Sequence, residues 1–123
     1  MGKFVISQAK NGFKFNLHAG NGEIIATSQV YKTKVTCKKG IQSVIKNAES
    51  PVEIQDGDDF KKEKNPKFEV YKDKKGEYRF RLKSGNGQII ATGESYPQLA
   101  ACKNGISSIK RNAAAATIVD ETK

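Results

Sequence analysis

The sequence predicts an α+β fold made of two tandem β-β-β-α-β repeats. Three observations lead there. Setting Phe13–Ala48 over Tyr78–Ala113 gives identical residues at 17 of 36 positions, which makes the chain a tandem duplication. Within each copy apolar and polar residues first alternate strictly and then recur at helical spacing. Between the copies lies a polar stretch with no counterpart, Asp56 to Pro66. The expected organisation is repeat 1 over residues 1–56, a linker over 57–65 and repeat 2 over 66–123.

Each element has a local reason. Phe4-Val-Ile and Phe68-Glu-Val-Tyr71 read as first strands, followed by Gly12 and Gly76 in turns. Phe13-Lys-Phe-Asn-Leu-His18 and Tyr78-Arg-Phe-Arg-Leu-Lys83 have the period of two that marks a strand with one buried face. Gly20-Asn-Gly22 and Gly85-Asn-Gly87 supply hairpin turns before the third strands, Ile24–Thr27 and Ile89–Thr92. Cys37, Ile41, Val44 and Ala48 then step by 4, 3 and 4, as do Cys102, Ile106, Ile109 and Ala113. Each set lines one stripe of a helix. Thr33 is an expected N-cap, Pro97 marks the start of the second helix, and the mid-helix Gly40 and Gly105 predict a close helix–sheet approach. Val52–Ile54 and Thr117–Val119 read as final strands.

This doubled pattern of Phe-x-Leu, Gly-Asn-Gly, Ile-Ile-Ala-Thr, Tyr, Gly-Ile-x-Ser and Asn-Ala resembles the YegP-like family of small bacterial proteins. The resemblance covers nearly the whole chain outside the linker. It implies two β3-α-β units in one antiparallel sheet with the helices on one face and the C-terminal strands exchanged between repeats, so that both repeats would be interleaved as one domain. It brings no activity and no catalytic residues. Repeat 2 departs in having Pro97-Gln98 where repeat 1 has Lys32-Thr33.

Charge and composition narrow the functional classes. The 123 residues carry 22 basic and 13 acidic side chains, net +9, with both repeats basic and the junction acidic. Such a balance suits polyanions, although scattered lysines also keep a small protein soluble. No apolar run approaches the roughly 20 residues of a membrane span, and neither a signal peptide nor a myristoylation signal opens the chain. The expectation is a cytoplasmic monomer that makes no membrane contact.

Chemistry-bearing motifs are few. Cys37 and Cys102 sit on the apolar helix stripes and read as buried thiols, neither ligands nor a disulfide. His18 is the lone histidine, on a polar strand face without a partner at a suggestive spacing. No nucleophile elbow, phosphate loop or zinc motif occurs. The sequence therefore predicts no catalytic residue, metal or cofactor, and the expectation is not an enzyme.

Strand parity singles out the sheet face away from the helices. It places Lys14, Asn16, His18, Arg79, Arg81 and Lys83 there, with Val5, Ser7, Glu69, Tyr71 and one Ile of each Ile-Ile pair. Lys14, His18, Tyr71, Arg79, Arg81 and Lys83 are the candidate binding face. A protein partner or ligand ranks first as its occupant. Single-stranded nucleic acid or another polyanion ranks second, since only one aromatic is expected where a stacking platform has two or three. An unrecognised enzyme ranks third. The duplicated Lys38 and Lys103, with no structural reason for their retention, are candidate paired basic spots.

Overall fold

In a computed structural model, residues 2–55 and 62–122 are described. The chain runs β1 (Lys3–Ala9), β2 (Gly12–His18), β3 (Ile24–Thr27), α1 (Lys34–Asn47) and β4 (Val52–Ile54). It continues with β5 (Lys67–Lys72), β6 (Tyr78–Lys83), β7 (Ile89–Thr92), α2 (Leu99–Ala113) and β8 (Thr117–Asp120). Residues 57–61 of the expected linker lie outside the described residues.

All eight strands form one sheet in the order β4-β5-β6-β7-β3-β2-β1-β8. It is mixed, not wholly antiparallel as the sequence led us to expect: β4 runs parallel to β5, and β8 parallel to β1. The reason is connectivity. Each of these two strands leaves a helix and docks beside β5 or β1, where no hairpin constrains its direction. The long stretch between β4 and β5 also has the dozen residues that a parallel return requires. The two halves meet at a single β3–β7 rung, Thr27 opposite Thr92.

Phe4, Ile6, Phe15 and Leu17 of repeat 1 and Phe68, Val70, Phe80 and Leu82 of repeat 2 face the helix stripes in one continuous core. Each phenylalanine pair packs edge to face, with centroids 5.7 Å apart for Phe4–Phe15 and 6.2 Å for Phe68–Phe80. Cys37 and Cys102 are free thiols buried in that core. Burial pushes the Cys102 thiol up to about 11.

Thr33 caps α1 as expected: its hydroxyl accepts from Thr36 N at 3.1 Å, and Thr36 Oγ1 returns the favour to Thr33 N at 3.4 Å. In α2 the capping position is Gln98, without a side-chain bond, one residue after Pro97. The mid-helix glycines have a specific cause. Tyr31 and Tyr96 stack on Phe15 and Phe80, and a Cβ on Gly40 or Gly105 would overlap the tyrosine hydroxyl. Close approach is what the glycines permit, and the approaching group is a tyrosine held to the sheet by the Phe13–Tyr31 or Tyr78–Tyr96 bridge.

Other duplicated polar residues also have structural work. Asn21 and Asn86 accept from the amides of Glu23 and Gln88 inside the hairpin turns. Asn47 and Asn112 donate back to Ser43 O and Ser108 O at 2.8 and 2.7 Å near the helix ends. Lys38 and Lys103 are exposed and have no ion-pair partner among the described residues.

Candidate functional site

Among the described residues, the helices cover one side of the sheet and no helix covers the other. Pairing fixes which side chains share the open face. In repeat 2, Lys67, Glu69 and Tyr71 of β5 stand opposite Lys83, Arg81 and Arg79 of β6, with Glu53 of β4 beside Glu69. In repeat 1 the same places hold Lys3, Val5 and Ser7 opposite His18, Asn16 and Lys14, with Val119 of β8 beside Val5. Ile24 and Ile89 are the exposed members of their Ile pairs. Every residue of the candidate binding face is therefore on one surface, but the two halves of that surface differ.

The repeat 2 half is not a row of free cations. Glu69 is only 3 % exposed, and its carboxylate gathers three of them. Arg81 Nε donates to Glu69 Oε1 at 2.6 Å, while Lys67 Nζ and Lys83 Nζ each lie 3.3 Å from Oε2. Glu53, 2 % exposed, takes Lys67 Nζ at 2.8 Å, the Gln55 side-chain amide at 2.6 Å and the Glu63 backbone amide at 2.7 Å. Burial alone would raise the Glu53 carboxyl. The bonds from Lys67, Gln55 and Glu63 outweigh it and hold the carboxyl at about 2. Glu69 is likewise depressed: burial opposes, and Arg81, Lys67 and Lys83 prevail. Lys67 is raised, mainly by Glu53.

Tyr71 completes this cluster. The Arg81 guanidinium carbon lies 4.6 Å from the Tyr71 ring centroid, so the ring carries a cation on its face. Arg79, Lys14 and Lys3 have no ion-pair partner among the described residues, and His18 Nδ1 lies 3.2 Å from Gly22 O.

Sequence reasoning missed Glu53 and Lys67. Lys67 was in principle legible, because the alternation that puts Glu69 and Tyr71 outward puts Lys67 there too. Glu53 was not, since its place depends on a parallel pairing with the other repeat. Among the described residues no group of three or more His, Cys, Asp or Glu could hold a metal ion, and no helix is long and apolar enough to cross a membrane.

Two β3-α-β units sharing one mixed sheet, with helices on one side only, define the class of this protein. The model of the DUF1508 family, a domain of unknown function, matches residues 9–53 and 73–120, and the chain belongs to that family. It is 40 % identical over 121 residues to UPF0339 protein PA0329 of Pseudomonas aeruginosa, covering 98 % of this chain and 97 % of that one. It is 40 % identical over 123 residues to UPF0339 protein YegP of Yersinia pestis, covering 99 % and 97 %. The solution structure of yegP, a protein of unknown function from E. coli, superposes with a TM-score of 0.79 at 34 % identity, over 98 % of this chain and 93 % of that one. UPF0339 protein SO3888 of Shewanella oneidensis superposes with 0.81 at 35 %, over 98 % and 92 %.

Proposed function

We propose that the protein is a non-enzymatic binding module whose open sheet face takes a protein partner, engaged mainly through the repeat 2 half. The supporting observation is the Glu69 cluster. A buried carboxylate fixes Arg81, and Arg81 fixes Tyr71, so the two side-chain types that most often anchor protein interfaces are already ordered. Their ordering costs little at the moment of binding. Arg81 uses Nε on Glu69, which leaves its amino groups for a partner's carboxylate or carbonyl. The pairing of β4 with β5 and of β8 with β1 we read as an exchange of last strands between repeats 1–56 and 66–123 across the linker 57–65. Both halves of the face are then carried on one interleaved domain. Six cations stand against two acids on the strands of this face (Lys3, Lys14, Lys67, Arg79, Arg81 and Lys83 against Glu53 and Glu69). Two copies docked face to face would oppose those surpluses, which favours a monomer.

That same surplus favours a second reading, binding of a polyanion such as single-stranded nucleic acid. Against it, Arg81 and Lys83 already have carboxylate partners, and one face of Tyr71 is covered. Following backbone amides while adding mixed single-stranded oligonucleotides at about 50 and about 200 mM salt separates the two. A protein-binding face gives no saturable shift at either salt. Shifts along β2 and β6 that collapse at the higher salt would replace the first reading with the second.

A further inference from the structure

On the helix side, α1 and the β6–β7 turn of the other repeat enclose a groove of about 550 Å³. Lys39, Ser43 and Lys46 line one wall, and Ser84, Gly85 and Asn86 line the other. Lys39 and Lys46 are seven residues apart on one helix face, about 10 Å along the axis, with Ser43 between them. Both ammonium groups can therefore reach a single ligand. Asn47 donates to Ser43 Oγ at 3.2 Å, so the serine oxygen is used as an acceptor and its own proton is free to donate into the groove. In the turn, Gly87 N bonds to Ser84 O at 2.9 Å and Gln88 N to Asn86 Oδ1 at 3.1 Å. The amides of Gly85 and Asn86 have no partner among the described residues. Two lysines, a serine and a turn with two unpaired amides thus border one groove, and no acid lines it among the described residues.

The duplication supplies an internal control. At the matching positions of α2, Ser108 and Asn112 keep the same bond, 3.1 Å from Asn112 Nδ2 to Ser108 Oγ. Around them, however, Asn104 replaces Lys39, Arg111 replaces Lys46, Glu94 replaces Gln29 and Glu23 replaces Gln88. Both acids act on this side of the sheet: the Tyr96 hydroxyl is raised by burial first, then by Cys102, Glu94 and Glu23. One polar scaffold therefore occurs twice, once with two cations and no acid and once with one cation and two acids.

We propose that the groove between α1 and the Ser84–Gln88 turn binds the phosphate group of a small molecule. Lys39 and Lys46 supply the charge, and Ser43 with the Gly85 and Asn86 amides supplies the hydrogen bonds. The site does not depend on the open-face reading. Its test is a backbone-amide titration of the full chain with inorganic phosphate at fixed ionic strength, with acetate as a singly charged comparison. The expected result is a saturable shift at Gly85, Asn86 and Ser43 with millimolar affinity, absent at Gly20 and Asn21. Lys39→Asn, which copies the α2 position at an exposed site, should weaken it about tenfold and leave the rest of the spectrum unchanged. Equal shifts at Gly20 and Asn21, an unchanged affinity in K39N, acetate binding as tightly as phosphate, or no saturable shift at all would each overturn the assignment.

Discussion

The two halves of the open face sit on one backbone plan and carry different chemistry. Where the half built on β1 and β2 has Val5, Val119, Asn16 and His18, the half built on β5 and β6 has Glu69, Glu53, Arg81 and Lys83. Of the paired outward positions on the first two strands, only Lys3 and Lys67 match, whereas inward positions such as Phe4/Phe68, Phe15/Phe80 and Leu17/Leu82 are identical. A packed interior tolerates little change in volume, so duplication preserved what faces the helices. The open side had no such constraint. One half carries two lysines, Lys3 and Lys14, unpaired among the described residues, on a partly apolar surface. The other carries buried carboxylates that hold three cations, one of which lies over a tyrosine.

Cutting the halves apart should have the largest effect. Residues 1–58 alone lack both β5, the partner of β4, and β8, the partner of β1, and a unit of this size is marginal even when complete. The fragment should be unfolded by circular dichroism and amide dispersion. A folded, well-dispersed monomer would show that each repeat is self-sufficient.

Next in size is making one half resemble the other. Glu69→Val installs the residue found at Val5 and leaves Arg81 and Lys83 without their carboxylate, while Lys67 keeps Glu53. It should cost about 2–4 kcal/mol in denaturant unfolding, somewhat below a fully buried pair because Arg81 and Lys83 can turn to water. Adding Glu53→Val, Arg81→Asn and Lys83→His completes the pattern of the β1–β2 half and should recover most of that loss. Such recovery is the signature of coupling within the cluster. Additive losses would mean that the ion pairs are independent surface contacts.

A smaller effect separates the halves by pH. Glu53 is held at about 2, below its ordinary 4.5, so its contribution to stability is complete above 4.5 and disappears as pH falls toward about 2. Glu69, also depressed, acts in the same direction. The half built on β1 and β2 has valines at both places, Val5 and Val119, which contribute nothing to this dependence. Denaturant midpoints should therefore fall across that acid window in the native chain, and Glu53→Gln, less stable at neutral pH, should show a flatter fall. An equal slope in both would place the acid sensitivity elsewhere.

Much of the fold was legible because it is local. Alternation gave β2 and β6, the stepping of Cys37, Ile41 and Val44 gave α1, and the repeat transferred each assignment to the other copy. The sheet's mixed character was not legible, because the β4–β5 and β8–β1 pairings are non-local and no short-range pattern encodes parallel docking. At the candidate site the alternation placed Arg79, Arg81, Lys83 and Tyr71 on the correct side. It could not show that Arg81 and Lys83 are held by Glu69. That depends on the β5–β6 register, which sets Glu69 opposite Arg81, and on Glu53 arriving from the far end of repeat 1.

The most direct test of the functional reading uses the duplication itself. Tyr71 and Ser7 occupy matching positions on the two halves of the open face. A photo-cross-linking phenylalanine analogue would be placed at one or the other in the full chain and irradiated in cells. Binding through the repeat 2 half predicts a discrete protein adduct from position 71 that is absent from position 7 and is lost when Arg81→Ala is added. Adducts of equal yield from both positions, adducts from position 7 alone, or none from position 71 would contradict it.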